Sequence, residues 1–92
     1  MKFTYIRQCR RTEAEQRYIH ASLEIWSVLP ELRRVEARRL MGEIAQTTAE
    51  RQALFNVLTR GITPQAEAVR TGVQNDRLYR MRREFYDRFL IA

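Results

Sequence analysis

Residues 68–83 read AVRTGVQNDRLYRMRR, and their side chains suit the recognition of nucleic acid. A guanidinium group is planar and donates paired hydrogen bonds to a phosphate or to O6 and N7 of guanine, and glutamine and asparagine pair similarly with adenine. Between residues 73 and 83 stand four arginines and one aspartate, a local excess of three positive charges. The stretch is therefore either a helix that enters a DNA groove or an ordinary basic surface helix.

The same stretch has the spacing that a turn between two crossing helices demands. Ala68 is small where the helices approach, Gly72 tolerates a positive φ four residues later, and Val73 closes the core after the turn. Leu78, Met81, Phe85 and Phe89 recur one helical turn apart and would hold the second helix to the core. The residues predicted to contact DNA are Thr63, Gln74, Asn75, Arg77, Tyr79, Arg80, Arg82 and Arg83.

A longer segment carries a family resemblance. ERQALFNVLTRGITPQAEAVRTGVQNDRLYRMRREFYDRF, residues 50–89, resembles the three-helix DNA-binding unit of sigma-factor region four and is similar in its order of parts to small dimeric plasmid repressors of the KorA and TrfB type. The resemblance implies a helix-turn-helix fold and a transcriptional role. Glu67 stands where such motifs usually have an apolar residue, so Ala66 and Val69 are expected to supply that packing instead.

Composition narrows the class of protein. The 92 residues carry a formal net charge of +6, and sixteen of the seventeen cations are arginine, as nucleic-acid binding or a GC-rich genome would favour. One cysteine and one histidine provide neither a disulfide nor a convincing catalytic or metal site, so we expect no enzyme, no metal and no cofactor. No apolar run approaches the roughly 20 residues of a membrane span, and a cytoplasmic location is predicted.

The elements that must position the basic stretch are predicted to be helical. We expect one all-α domain over residues 1–92 with about five helices: a short N-terminal strand or arm (1–11), a helical support and dimerisation part (12–45), and the helix-turn-helix unit (47–92). TEAE at 12–15 and TTAE at 47–50 are capping boxes that begin helices one and three. Helix one should then carry an apolar stripe as far as Leu29.

The remaining helix boundaries follow from apolar spacing, glycine and proline. Helix two is predicted over residues 31–45, with an apolar face made of Leu32, Val35, Leu40, Met41 and Ile44. Gly61 should end helix three in a left-handed conformation, and Thr63 followed by Pro64 should begin a helix that ends at Thr71. Asn75 is expected to cap helix five, which runs to about residue 90.

The apolar stripe of helix one and the aromatic C-terminus exceed what one small core requires. We therefore predict a homodimer that reads two half-sites of double-stranded DNA as a repressor. The residues assigned to its interface are Tyr18, Ile25, Trp26, Phe85, Tyr86, Phe89 and Leu90. The alternative is a protein-interaction module that binds RNA polymerase or another regulator through the same apolar residues, with its arginines merely solvated. RNA binding is a weaker third hypothesis.

Overall fold

The fold was analysed in a computed structural model that describes residues 3–91. Five α-helices follow one another: α1 (Glu13–Glu24), α2 (Glu31–Ile44), α3 (Thr48–Thr59), α4 (Pro64–Thr71) and α5 (Asn75–Arg88), with a 3-10 turn at Trp26–Val28. No strand occurs among the described residues, so the all-α prediction is confirmed and the N-terminal strand is not formed across residues 3–11. Residues 1 and 2 of that predicted segment lie outside the described residues. None of the described helices combines the length and apolar character needed to cross a membrane.

Side-chain caps begin three of the helices as the sequence indicated. The Thr12 hydroxyl accepts from the Glu15 backbone N–H at 3.2 Å, and the Glu15 carboxylate accepts from the Thr12 N–H at 2.9 Å. Thr47 caps α3 by accepting from the backbone N–H of Glu50. Because these caps satisfy backbone donors that the helix itself leaves unpaired, they fix where α1 and α3 begin.

Helix α1 ends earlier than its apolar stripe predicts. It stops at Glu24, where Ile25 leaves helical geometry, and a 3-10 turn then leads into α2. Leu29 adopts extended backbone angles before Pro30, because the proline ring disfavours the helical conformation in the preceding residue. The 3-10 turn and the extended Leu29 therefore separate α1 from α2.

Helix α3 is the centre of the fold, since it packs against each of the other four helices. Its Ala53 and Leu54 are fully buried and meet apolar side chains from α1, α2 and α5. The members of this core from the other helices are Ile19, Leu23, Ala37, Met41, Ile44, Leu78, Met81, Phe85 and Phe89. Since α4 packs only on α3 and α5 among these contacts, α3, α4 and α5 form a compact three-helix unit, and α1 and α2 each pack against α3.

The predicted apolar face of α2 is only partly correct. Met41 and Ile44 are buried together with Ala37, but Leu32 is 77% exposed and Val35 is 55% exposed. At 100° per residue, the buried positions share one face of the helix, whereas Leu32 and Val35 lie roughly opposite it. Two apolar side chains therefore project from α2 away from the core.

The N-terminal segment is held by a buried glutamine. Gln16 on α1 is fully buried, and its side-chain carbonyl accepts from the Ile6 N–H at 2.8 Å while its amide donates to the Ile6 carbonyl at 3.1 Å. This pairing replaces the hydrogen bonds that a neighbouring strand would supply. Ile6 enters the core, and the Asp87 carboxylate of α5 accepts from the Arg10 N–H at 2.7 Å. Residues 3–11 thus lie against the helices and are not a free arm.

Candidate nucleic-acid interface

Helices α4 and α5 are joined by Gly72, Val73 and Gln74. Gly72 has φ 79°, and its N–H donates to the Ala68 carbonyl at 2.9 Å, which ends α4 with a left-handed residue as predicted. A Cβ atom at Gly72 would meet nothing within 4 Å, so backbone conformation and not crowding favours glycine here. Val73 packs against the core, which confirms its predicted place after the turn.

The start of α4 also follows the sequence-based prediction. The Thr63 hydroxyl accepts from the Ala66 N–H at 3.2 Å, and Pro64 occupies the first turn, where its missing donor is not needed. The preceding Gly61 has φ 68°, as expected for the residue that follows the end of α3. Thr63 itself is exposed at the N-terminal end of α4.

Glu67 takes the buried position that the resemblance assigns to an apolar residue. Its side chain is 1% exposed and accepts from Arg70 at 2.9 and 2.8 Å and from the Asn56 amide at 3.4 Å. The Arg70 guanidinium lowers the pKa of the Glu67 carboxyl below its ordinary 4.5, although burial acts in the opposite direction. The expected substitution by Ala66 and Val69 is wrong, since both are exposed. The hydrogen-bonded Glu67 carboxylate of α4 is therefore linked to α3 through Asn56.

The outer face of α5 presents polar and basic side chains to solvent. Leu78, Met81 and Phe85 face the core, and Arg80 lies on the opposite side of the helix. Arg80 is exposed and makes no ion pair or hydrogen bond with any residue between 3 and 91. Arg83 donates to the Gln8 side chain at 3.2 Å, and Gln74 is exposed at the leading end of the helix. Gln74, Arg80 and Arg83 are hereafter called the α5 outer face.

Arg77 does not belong to the α5 outer face, contrary to prediction. Its guanidinium donates to the Glu50 carboxylate at 3.3 Å and to the Ile44 carbonyl at 3.1 Å, which ties α5 to α3 and to the end of α2. The side chain points there because α5 packs against α2 and α3 on that flank of the helix. The Arg77 hydrogen bond is also the main cause that lowers the pKa of Glu50.

Asn75, Tyr79 and Arg82 turn toward the other flank of α5. Asn75 is the first residue of the helix and not its cap; Gln74 occupies the cap position without a side-chain cap bond, and the Asn75 Oδ1 is buried without a partner. The Arg82 guanidinium lies 5.2 Å from the Tyr79 ring, and both side chains are half-buried. These three positions are therefore less accessible to a groove than the sequence-based prediction requires.

The aromatic part of the predicted dimer interface lies inside the monomer. Phe85 is 0% exposed, and Tyr86 and Phe89 are also buried; the Phe85 and Phe89 rings stack with centroids 5.1 Å apart. Assigning these three residues to an interface is wrong, because the N-terminal segment and α2 cover the C-terminal half of α5 and turn its extra aromatics into core. Burial raises the pKa of the Tyr86 hydroxyl to about 12.

The other predicted interface residues remain at the surface to different degrees. Tyr18, Ile25 and Leu90 are exposed. Trp26 is half-buried, packs edge-on against Phe55 at 5.2 Å and is covered by the Arg38 guanidinium. The predicted interface did not include Val28, Leu32 and Val35, which form an exposed apolar surface. This surface is called here the hairpin patch. Its signal was available in the sequence, since these residues fall outside the spacing of Ala37, Met41 and Ile44.

No family model, curated protein or solved structure matches the chain. Within residues 3–91, no group of three or more His, Cys, Asp or Glu side chains is arranged to hold a metal ion.

Proposed function

We propose that this protein is a sequence-specific DNA-binding transcriptional regulator that uses α4, the turn at Gly72 and α5 as a helix-turn-helix. The observation that carries the proposal is the α5 outer face. It places an exposed amide at the N-cap, the exposed Arg80 in the second turn and the half-buried Arg83 in the third turn of a helix whose other side is anchored in the core. A recognition helix is held in this way when its N-terminal turns contact base edges.

Each group of the interface has a suitable partner in DNA. Gln74 can pair with the N6 and N7 edge of adenine, and Arg80 can pair with O6 and N7 of guanine. Arg83 and the exposed Thr63 lie at the flanks, where they would contact phosphates. Repression by occupation of an operator is the simplest consequence, because binding at a promoter excludes RNA polymerase without any further activity.

The test is fluorescence anisotropy with a labelled duplex from the region upstream of the protein's own gene and with a scrambled duplex. With a net charge of +6, we expect tight binding to the first duplex, weaker binding to the second, and a steep loss of affinity as salt rises. Equal weak binding to both duplexes that disappears at physiological salt would contradict sequence-specific regulation.

We further propose that the hairpin patch joins two copies of the protein. Val28, Leu32 and Val35 are 74%, 77% and 55% exposed, which is unusual for three apolar side chains within eight consecutive residues. Residues of both charge signs surround them on α2, so a two-fold interface can place opposite charges across from each other. A dimer would present two α5 outer faces to two half-sites.

Replacing Leu32 with glutamate should shift a dimer to monomer, because the interface would then bury two unpaired carboxylates. Sedimentation velocity over a concentration series measures this. The matched control is Val69→Glu, which changes another exposed valine (88% exposed) on α4 and should leave the oligomeric state unchanged. If the parent protein stays monomeric at all concentrations, the patch serves another protein instead, such as RNA polymerase.

A further inference from the structure

A cleft on the flank of α5 has the chemistry of an anion site. It encloses about 370 Å³ between the N-terminal segment, α1, the loop that joins α3 to α4, and α5. Two cationic side chains line it, Arg82 from α5 and Arg60 from the loop, together with His20 from α1, whose Nε2 lies 3.7 Å from the Glu24 carboxylate. No aspartate or glutamate is among its lining residues. The cleft therefore has arginines on two of its sides.

Arg82 is the unusual member of this cleft. Burial lowers its pKa, and only the Tyr86 and Tyr79 hydroxyls counteract that effect. Its Nε is buried and has no hydrogen-bond partner among the described residues. An arginine Nε–H that is buried without an acceptor is costly, and native proteins usually satisfy such groups.

Three other arginines contrast with Arg82, because each has a hydrogen-bond acceptor on the chain for its guanidinium group. Arg77 has a carboxylate and a carbonyl as acceptors, and Arg11 donates to the carbonyls of the last turn of α5. Arg70 has the Glu67 carboxylate. Arg82 differs because no residue between 3 and 91 accepts a hydrogen bond from its Nε–H, while its guanidinium lies over the Tyr79 ring and its side chain lines the cleft.

The other lining residues of the cleft indicate which kind of ligand it can bind. Thr63 and Pro64 place the N-terminal end of α4 at the rim, where the helix dipole favours negative charge. Val57, Leu58 and Ile62 line the cleft as well, so its floor offers apolar contact to the organic part of a ligand. Its volume is within the range of small-molecule sites.

We propose that the cleft binds a phosphate group between Arg82 and Arg60, with the Thr63 end of α4 facing the same group. Two guanidinium groups suit a phosphate because each donates two parallel hydrogen bonds. The phosphate can come from a free phosphate ester, which would make the site a place for an effector, or from the backbone of bound DNA. Neither source depends on how the α5 outer face reads bases.

The probe is inorganic phosphate, titrated into uniformly ¹⁵N-labelled protein while the arginine Nε–H cross-peaks are followed by NMR. Chloride at matched ionic strength is the reference. We expect a saturable shift of the Arg82 Nε–H signal, and we expect Arg60→Ala and Arg82→Gln each to weaken phosphate binding about tenfold or more. Arg39→Ala is the matched control, because it removes an exposed arginine of α2 that does not line the cleft and should bind phosphate as the parent does.

Several outcomes decide the proposal. Linear shifts equal to those in chloride, or equal phosphate affinity in the parent and Arg60→Ala, would overturn it; Arg60 is exposed, so its removal should not unfold the protein.

A second titration with duplex DNA assigns the source of the phosphate group. If DNA moves the Arg82 signal and displaces phosphate, the group is a backbone phosphate. If DNA leaves that signal unchanged while phosphate saturates it, the ligand is a free ester. A protein that binds no DNA would refute the proposed function, yet the phosphate titration would still test the cleft.

Discussion

Replacing Phe85 with alanine should lower the free energy of unfolding by about 3–5 kcal/mol. Phe85 projects from α5 into the core, where it is completely buried and stacks on Phe89. The substitution would therefore leave a cavity in the core. Single domains of this size are stable by only about 5–15 kcal/mol, so the loss would remove a large part of the total stability. Urea titration monitored by circular dichroism measures it.

The control for Phe85 is Leu90→Ala, which shortens an exposed side chain just beyond the end of α5. It should change stability by less than about 0.5 kcal/mol. If Phe85→Ala instead left the monomer stable and only weakened self-association, Phe85 would be an interface residue and the packing described above would be wrong. Measuring both variants at two protein concentrations separates these results.

Replacing Arg80 with alanine should weaken binding to the preferred DNA site by about 1–3 kcal/mol, or roughly 5- to 150-fold in affinity. The side chain is exposed, has no partner among residues 3–91 and lies opposite the core face of α5, so the substitution should not affect the fold. Binding should also become less selective at one base pair, since a bidentate contact to guanine is lost. Anisotropy titrations with the preferred duplex and with single-base variants measure both effects.

Arg17→Ala is the matched control for Arg80. Arg17 is an exposed arginine on α1, paired with Glu13 at 3.1 Å, and lies in a different part of the fold. Its removal also takes one positive charge from the protein, so any general electrostatic effect should appear in both variants, whereas the loss of selectivity should appear only in Arg80→Ala. If Arg80→Ala bound every sequence as well as the parent does, the assignment of the α5 outer face would be refuted.

Much of the local structure follows from neighbouring residues alone. Thr12 with Glu15, Thr47 with Glu50, and Thr63 with Pro64 each begin a helix where the sequence indicated, and Gly61 and Gly72 end helices with positive φ. These signals act within one helical turn, through hydrogen bonds to the nearest backbone groups and through the freedom of glycine. These signals can therefore be recognised in the sequence without knowledge of the rest of the chain.

The surroundings of individual side chains were decided by the tertiary structure. Arg77 and Arg80 are three residues apart and chemically identical, yet Arg77 is held by Glu50, which is 27 residues away, while Arg80 faces solvent. Leu32 was predicted to be a core residue of α2 but is exposed. Phe85 was predicted to lie in a dimer interface but is buried in the core.

The physical reason lies in the range of the interactions. Apolar spacing and caps are set by local geometry, so the sequence by itself determined the five helices, most of their ends and the basic character of α5. Which flank of a helix meets another depends on how five helices share one small core, and a rotation of a few tens of degrees exchanges buried and exposed positions. The proposed DNA-contact surface and the proposed phosphate cleft are products of that packing, which no local pattern specifies.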